Sequence, residues 1–422
     1  MNELIKKAIE SQEASKSLSI SDIQNRNSAL EELANSLNDN KNQILKENNR
    51  DYSESKLKNN KNSSALERLR LSQKSIDDII DGISNIINLP DPIGNIFDKN
   101  DLQNGLKVYK KRVPLGVIGI IYESRPNVTI DISALCIKSG NCAILRGGKE
   151  AIRTNVYLTQ LIQNSLKNNA LPENAITVIE NTDRALVTEM LKLKQYIDLI
   201  IPRGSSELVK LVAENAEMPA VTGGIGISHI YIDSDANIEK AISISCNAKI
   251  SNPYVCNALD TILVNENIAN EFLPKIVEEL FLHNVEIKCD NEALNIIGAQ
   301  QSNVSPATSN DWGREFLSLT LSIKVVKNVE EAISHIQKFT FRAGHTDTII
   351  TENKHTAQLF LKQVDSSVVM LNASTRFNDG GQLGLGAEVA ISTSKFHARG
   401  PMGLESLTSY KWIVEGDGHI RT

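Results

Sequence analysis

A thiolate held in a loop can attack an activated carbonyl, and the chain offers five sulfurs for that work: Cys136, Cys142, Cys246, Cys256 and Cys289. Cys256 stands in the run Ser251-Asn252-Pro253-Tyr254-Val255-Cys256-Asn257-Ala258. That run falls between a helical pattern and a strand pattern, where backbone N–H donors can lower a thiol pKa. Cys136 and Cys142 fall on regular patterns instead and read as small core residues, as do Cys246 and Cys289. No pair of cysteines has CxxC spacing and no histidines have HExxH spacing, so neither a zinc knuckle, a dithiol nor a metalloprotease site is indicated. No local His-plus-carboxylate spacing accompanies Cys256; His345 and His397 are candidate partners from other loops.

A second kind of chemistry is written at the ends of apolar runs. In an open parallel sheet, ligands bind beyond the carboxyl ends of the strands. The run 117–122 is followed by Glu123-Ser124-Arg125-Pro126-Asn127, the run 142–145 by Arg146-Gly147-Gly148-Lys149, and the run 197–201 by Pro202-Arg203-Gly204-Ser205-Ser206. Glycines permit close backbone approach, helix N-termini offer N–H groups, and Arg or Lys supplies charge, a set suited to phosphate. Neither GxGxxG nor GxxxxGK[ST] occurs, so the two common nucleotide fingerprints fail.

The elements that must position these residues follow from periodicity. Residues 1–90 predict helices: Ser21 with Gln24 reads as a capping box before Leu30, Leu33 and Leu37, and the isoleucines from Ile76 to Ile87 keep a 3.6-residue period until Pro90. The polar tract 41–64 predicts a solvated helix and a loop. Residues 105–113 alternate apolar and basic side chains like a half-exposed ribbon. Strands at 117–122, 142–145, 176–179, 197–201 and 227–232 then alternate with helices at 128–139, 150–167, 183–192 and 205–216, predicting a five-stranded, doubly wound parallel sheet. Pro126 and Gly140 bracket the first of these helices. After residue 233 the alternation restarts: helices at 237–249, 269–282, 329–338 and 354–364, strands at 261–264, 322–326, 346–350 and 368–371. A Gly-rich segment then leads to a closing strand at 407–414.

With 45 basic against 51 acidic residues, a net charge of −6, the 422-residue chain gives no support to a polyanion-binding role, and no basic-aromatic interleaving points to nucleic acid. The longest apolar run, 113–122, is half of the roughly 20 residues that a membrane-spanning helix needs. The N-terminus lacks a secretory pattern, and the sparse cysteines suit a reducing, cytoplasmic location.

The strings VPLGVIGIIYESRPNVTIDISALCIKSGNCAILRGGKEA, IPRGSSELV, GGIGISHIYID, VCNALDTILV, GHTDTIITEN, LNASTRFNDGG and ARGPMGLESLTSYKW together resemble the glutamate-5-semialdehyde dehydrogenase family, also called γ-glutamyl phosphate reductase. That family lies within the aldehyde dehydrogenase superfamily. The resemblance implies an α/β fold with three parts: a doubly wound NADPH-binding domain (1–104 and 117–232), a second α/β catalytic domain (233–400) and a small β oligomerisation flap (105–116 and 401–422). It implies reduction of γ-glutamyl phosphate to glutamate 5-semialdehyde and phosphate, the second step of proline biosynthesis, with NADPH/NADP as cofactor. It also implies a homo-oligomer and glutamate 5-kinase as an associating partner. By position, Cys256 matches the nucleophile. Arg146, Gly147, Gly148 and Lys149 match the segment holding the adenosine ribose, where the basic pair suits a 2′-phosphate. Arg203, Gly204 and Ser205 match the segment beside the pyrophosphate, and Glu315 the glutamate on the nicotinamide ribose. Asn127, His345, Asn372 and Arg399 lie in family motifs at the substrate site, and Arg125 and Arg399 are the expected phosphate ligands.

Two departures carry meaning. Where oxidising members place a Glu base before Leu-Gly-Gly, this chain has Val221-Thr222-Gly223-Gly224, and a missing base fits reduction because activated water would hydrolyse an acyl-enzyme. Asn252-Pro253-Tyr254 replaces Arg-Pro-Gly before the cysteine. The alternatives are a CoA-acylating aldehyde dehydrogenase, with the same covalent logic but no need of phosphate, and a non-catalytic partner that shields the acyl phosphate beside its kinase.

Overall fold

The computed structural model describes residues 2–58, 63–221, 223, 226–298, 302–340 and 344–421. The chain divides into two compact units, one of Met1–Thr222, Gly384–Ala390 and Met402–Thr422, the other of Gly223–Leu383 and Ile391–Pro401.

The first unit opens with helices Glu3–Leu18, Ile23–Asp39, Lys41–Lys58, Ser63–Leu69 and Gln73–Asn88. The last buries Ile76, Ile79, Ile83 and Ile86 and is capped reciprocally by Ser72 and Ser75. Ser21 does not cap its helix as expected. Its hydroxyl donates back to Leu18 O (2.7 Å), closing the preceding helix, and Asp22 takes the N-cap position. The polar tract is helical but not simply solvated. Asn48 is buried and bonds Leu69 O and Leu71 N, while buried Asp51 accepts from the backbone and hydroxyl of Thr154 (2.9 and 2.8 Å). Its loop at 59–62 lies outside the described residues.

Two sheets follow in this unit. Strand Lys107–Pro114 pairs antiparallel with Ile96–Asp101 on one side and Thr408–Glu415 on the other. The expected ribbon is therefore the centre of a three-stranded sheet, whose Ile96–Asp101 member, rich in Asp, Lys and Asn, has no strand pattern. The parallel sheet has four strands, in the order Ile176–Val178, Cys142–Gly147, Val117–Tyr122, Leu199–Arg203. Val117–Tyr122 is buried on both faces. At Gly119 a Cβ would lie 2.5 Å from Ile200 Cδ1 and 2.7 Å from Met190 Cε, so the helix layer packs directly on backbone there. Helix Pro126–Lys138 begins on its proline and ends before Gly140, whose φ is +69°.

The second unit contains seven parallel strands: Val304–Pro306, Glu286–Cys289, Thr320–Val326, Thr261–Asn265, Ser228–Ile232, Gly344–Ile350 and Ser366–Leu371, in that spatial order. Ser228–Ile232 was expected as the fifth strand of the first sheet. It instead sits at the heart of the second, between Thr261–Asn265 and Gly344–Ile350. An apolar run buried on both faces fits either sheet, so its hydrophobicity could not choose. Phe272, Leu273, Ile276, Val277 and Leu280 of helix Glu266–Leu282 pack on one face of this sheet, and Tyr231 stacks on Phe360 on the other.

Candidate active site

In the first unit, Tyr122 lies in register with both Gly147 and Arg203. The three basic loops, two of them with glycine, therefore emerge side by side at the carboxyl edge of the four-stranded sheet. Side chains crowd the glycine in each of the two loops that contain one. A Cβ on Gly147 would meet Asn155 Nδ2 at 2.2 Å, and one on Gly204 would meet Glu123 Oε2 at 2.5 Å. Ser205 caps helix Ser206–Asn215 through its hydroxyl on Leu208 N (3.3 Å), and its own N–H donates to Glu123 (2.8 Å). Glu150 accepts from Ser124 N–H and Oγ (2.8 and 2.7 Å). The Ser124 and Ser205 N–H groups thus already hold carboxylate oxygens of the chain itself, at an edge where backbone N–H groups can receive anions. Lys149 is exposed, and Arg203 Nε is enclosed with no hydrogen-bond partner among the described residues.

Arg146 corrects one expectation. It is buried, and its guanidinium bonds Gly147 O, Thr182 O (2.9 Å) and Asp183 O (3.3 Å), so it pins two loops together and leaves Lys149 as the cation of the pair facing solvent. Arg125 and Asn127 lie at the same edge; Asn127 Nδ2 donates to Asp131 Oδ2 (2.9 Å). Desolvation pushes the Asp131 carboxyl up to about 6, against the pull of Asn127 and Arg203.

In the second unit the polarity of the sheet is reversed in its use. Cys256 and Asp260 precede strand Thr261–Asn265, Glu315 precedes Thr320–Val326, and His345 begins Gly344–Ile350. All four belong to the amino edge of this parallel sheet. Helix Ile238–Ile250 ends at Ser251, Asn252 Oδ1 accepts from Tyr254 N (3.2 Å), and Ala258 N donates to Val255 O (3.0 Å). The Asn-Pro-Tyr replacement therefore forms an Asx turn, followed by a tight turn that carries the cysteine. Cys256 is half-buried, whereas the other four cysteines are buried. Desolvation pushes Cys142, Cys246 and Cys289 up to about 12 and Cys136 higher still, so they stay protonated and inert.

Gly226 joins the cysteine to the glutamate. A Cβ there would lie 2.8 Å from Glu315 Oε1, 3.0 Å from Cys256 Cβ and 3.1 Å from Cys256 O, and the Gly226 N–H donates to the Glu315 carboxylate. Desolvation, with Asp260 adding like charge, pushes Glu315 up to about 7, opposed by His345 and the Gly226 N–H. Asp260 is raised to about 6, mainly by burial, although Lys249 and the N–H groups of Phe316 (2.9 Å) and Ser228 (3.2 Å) favour its anion. Fully buried Lys249 falls to about 8 by desolvation, and its Nζ bonds Ser318 O (3.1 Å). Among the described residues, no group of three or more His, Cys, Asp and Glu side chains is placed to hold a metal ion.

A short helical turn, Thr375–Phe377, is bolted to the cysteine loop. Thr375 Oγ1 donates to Asn257 O (2.7 Å), Asn257 Nδ2 to Asn378 O (3.0 Å), Arg376 Nε to Ser251 Oγ (3.1 Å), and Arg376 Nη1 to Asn257 Oδ1. Half-buried Arg376 has its pKa lowered by desolvation, while Asp379 and the Cys256 thiolate favour its charged form. Sequence reasoning missed Arg376 within LNASTRFNDGG. It also missed Gly226, Lys249 and Asp260, whose roles come from contacts that no local pattern displays.

Two further expectations change. Asn372 follows strand Ser366–Leu371 at the opposite, carboxyl edge, with φ +52°, and spends its amide on Thr351 N (3.0 Å) and Thr351 O (2.9 Å). It ties a loop and is not beside Cys256. Arg399 pairs with Asp365 (2.7 Å), which also holds Lys395, so its guanidinium is engaged in a three-residue ion cluster. His345 is buried near Glu315, its Nδ1 2.7 Å from Thr346 Oγ1. Of the Val221–Gly224 segment, positions 222 and 224 lie outside the described residues.

Known proteins resemble the chain over its whole length. The aldehyde dehydrogenase family profile matches residues 1–306. A gamma-glutamyl phosphate reductase of Roseiflexus castenholzii is 53% identical over 359 residues, 84% of each chain. One of Dehalococcoides mccartyi is 48% identical over 420 residues, 99% of this chain and 98% of that one. The crystal structure of gamma-glutamyl phosphate reductase from Thermotoga maritima superposes over 100% of both chains with a TM-score of 0.95 at 43% identity.

Proposed function

The chain belongs to the aldehyde dehydrogenase family, among its gamma-glutamyl phosphate reductases, and from that membership we propose that it reduces γ-glutamyl phosphate to glutamate 5-semialdehyde and phosphate through a thioester on Cys256, in proline biosynthesis. The observation that carries the reading is the placement of the one cysteine that is not buried against Gly226 and Glu315 at a sheet edge.

A free carboxylate resists hydride; an acyl phosphate is an activated acyl donor. The Cys256 thiolate attacks the acyl carbon, the carbon–oxygen bond to phosphate breaks, and phosphate departs with the bonding pair, taking one proton. A nicotinamide cofactor, when bound, supplies hydride to the thioester carbon. The resulting oxyanion collapses, the carbon–sulfur pair returns to Cys256, and the aldehyde leaves. N–H groups aimed at that oxyanion are each worth about 2.7–4 kcal/mol in well-studied enzymes.

The donors at the first unit's carboxyl edge fit a dinucleotide: Gly147, Gly148, Gly204 and Ser205 allow close approach, Arg203 lies beside them, and Lys149 offers charge to a 2′-phosphate. Arg146 is the buttress of that loop. NADPH is therefore the cofactor we favour, and Lys149→Ala is expected to raise the NADPH dissociation constant about tenfold with little change for NADH. Equal losses for both cofactors would refute the 2′-phosphate role.

In this reading Glu315 accepts from the nicotinamide ribose. Its pKa near 7 makes it neutral below and anionic above that value, so NADP affinity should rise up to about tenfold between pH 6 and 8. Fluorescence titration reads this, and Glu315→Gln should flatten the profile.

Among the described residues no helix is long and apolar enough to cross a membrane, and we place the enzyme in the cytoplasm. The edge strand Thr408–Glu415 exposes Tyr410, Trp412 and Val414, which supports a second copy of the chain as its partner. The lability of the substrate supports handover from glutamate 5-kinase. The deciding assay runs in reverse: semialdehyde with NADP should yield NADPH only when inorganic phosphate is present beyond one turnover. Phosphate-independent turnover would defeat the proposal.

A further inference from the structure

We infer that Arg376 is the residue that receives the phosphoryl group of the acyl phosphate at Cys256, a role that rests on the thioester reading above. Arg376 is held in place by two hydrogen bonds to the cysteine loop, Nε on Ser251 and Nη1 on Asn257, the residue next to the nucleophile. Two further bonds, from Thr375 to Asn257 O and from Asn257 to Asn378 O, lock the segment that carries it. Its guanidinium lies within electrostatic range of the Cys256 sulfur. Nη2 makes no hydrogen bond to the described residues, so one edge of the planar fork is left to donate.

The other cations at this edge are committed. Lys249 is fully buried on Ser318 O, and Lys395 and Arg399 share Asp365. Asp379 is also within range of Arg376 but directs Oδ1 to the N–H groups of Gly381 (3.0 Å) and Gln382 (3.2 Å).

Phosphate is the part of the substrate that this position fits. The phosphorus is two bonds from the carbon that sulfur attacks, whereas the substrate's own α-carboxylate lies at the far end of the carbon chain. A guanidinium near the sulfur therefore meets the leaving group, where negative charge gathers as the carbon–oxygen bond breaks. Rigid attachment to the loop of the nucleophile keeps cation and sulfur in fixed relation.

The half-reactions separate this role from others. With semialdehyde and NADP but no phosphate, the wild-type enzyme should release about one NADPH per site as the thioester accumulates. Inorganic phosphate then attacks the thioester carbon, its oxygen forms the new bond, and the sulfur leaves as thiolate. Arg376→Gln should raise the KM for inorganic phosphate about 10- to 100-fold, a larger change than in the rate of the phosphate-independent burst. Arg376→Lys, which keeps the charge and loses the fork, should raise it less, and it carries the test if the glutamine variant does not fold. An unchanged phosphate KM overturns the inference. If the KM for semialdehyde rises instead, the guanidinium reads the α-carboxylate. If only the iodoacetamide reactivity of Cys256 moves to higher pH, it serves the thiolate. Absence of a burst in the wild type would remove the thioester reading itself, a failure distinct from that of Arg376.

Discussion

Replacement of Cys256 by alanine abolishes phosphate-dependent reduction of NADP by the semialdehyde, with a loss of at least about 10⁴-fold in kcat. Nothing else in the chain can take over. The four remaining thiols are buried and desolvation holds them protonated. The burst of one NADPH in the absence of phosphate should vanish too, because it counts acylated sulfur. NADPH binding should persist, since the residues proposed to hold it are unaltered. Thermal unfolding should stay close to that of the wild type, because Cys256 is half-buried and truncation to alanine removes a single sulfur atom. Turnover within about tenfold of the wild type would sink covalent catalysis at this position.

Gly226→Ala is the second large effect. The new methyl would fall 3.0 Å from Cys256 Cβ and 3.1 Å from the Cys256 carbonyl. The carboxyl end of Glu315, at 2.8 Å, can swing aside; the cysteine backbone cannot move without dragging its turn. Contacts of 3.0–3.1 Å require the cysteine turn to give by a few tenths of an ångström; since about 1 Å in a reacting group costs on the order of 100-fold in rate, a fall of roughly tenfold in kcat/KM is expected. Cofactor binding should weaken in the same variant through Glu315. A kcat/KM within twofold of the wild type would show that the loop absorbs the methyl and that this close approach does not set the geometry.

How much of this could be read from residues alone depends on what kind of signal each carried. Helix Gln73–Asn88 and the two-faced burial of Val117–Tyr122 follow from periodicity, because burial acts on every residue of an element at once. Cys256 was separable from the other cysteines because a loop context differs from a helix or strand context. Strand Ser228–Ile232 was assigned to the wrong sheet because pairing partners are a long-range property that local hydrophobicity does not encode. Arg146 reads as a ligand, while its guanidinium bonds three loop carbonyls: composition reports charge but not where a guanidinium is spent. Asn372 is likewise engaged with Thr351, at a positive-φ position where Asn is favoured for its backbone. Arg376 and Gly226 were invisible as chemistry, since their meaning comes from contacts with residues 119 and 30 positions away.

The antiparallel sheet holds a lesson about biogenesis. Strand Lys107–Pro114 finds one neighbour locally, but its other side waits for Thr408–Glu415, about 300 residues later. A ribosome delivers that neighbour only after nearly all of Gly223–Leu383 has emerged, so the nascent chain carries an unsatisfied ladder for most of its synthesis. Lys107, Lys110, Lys111 and Arg112 are well suited to that interval, for a cationic border discourages two growing chains from zipping together.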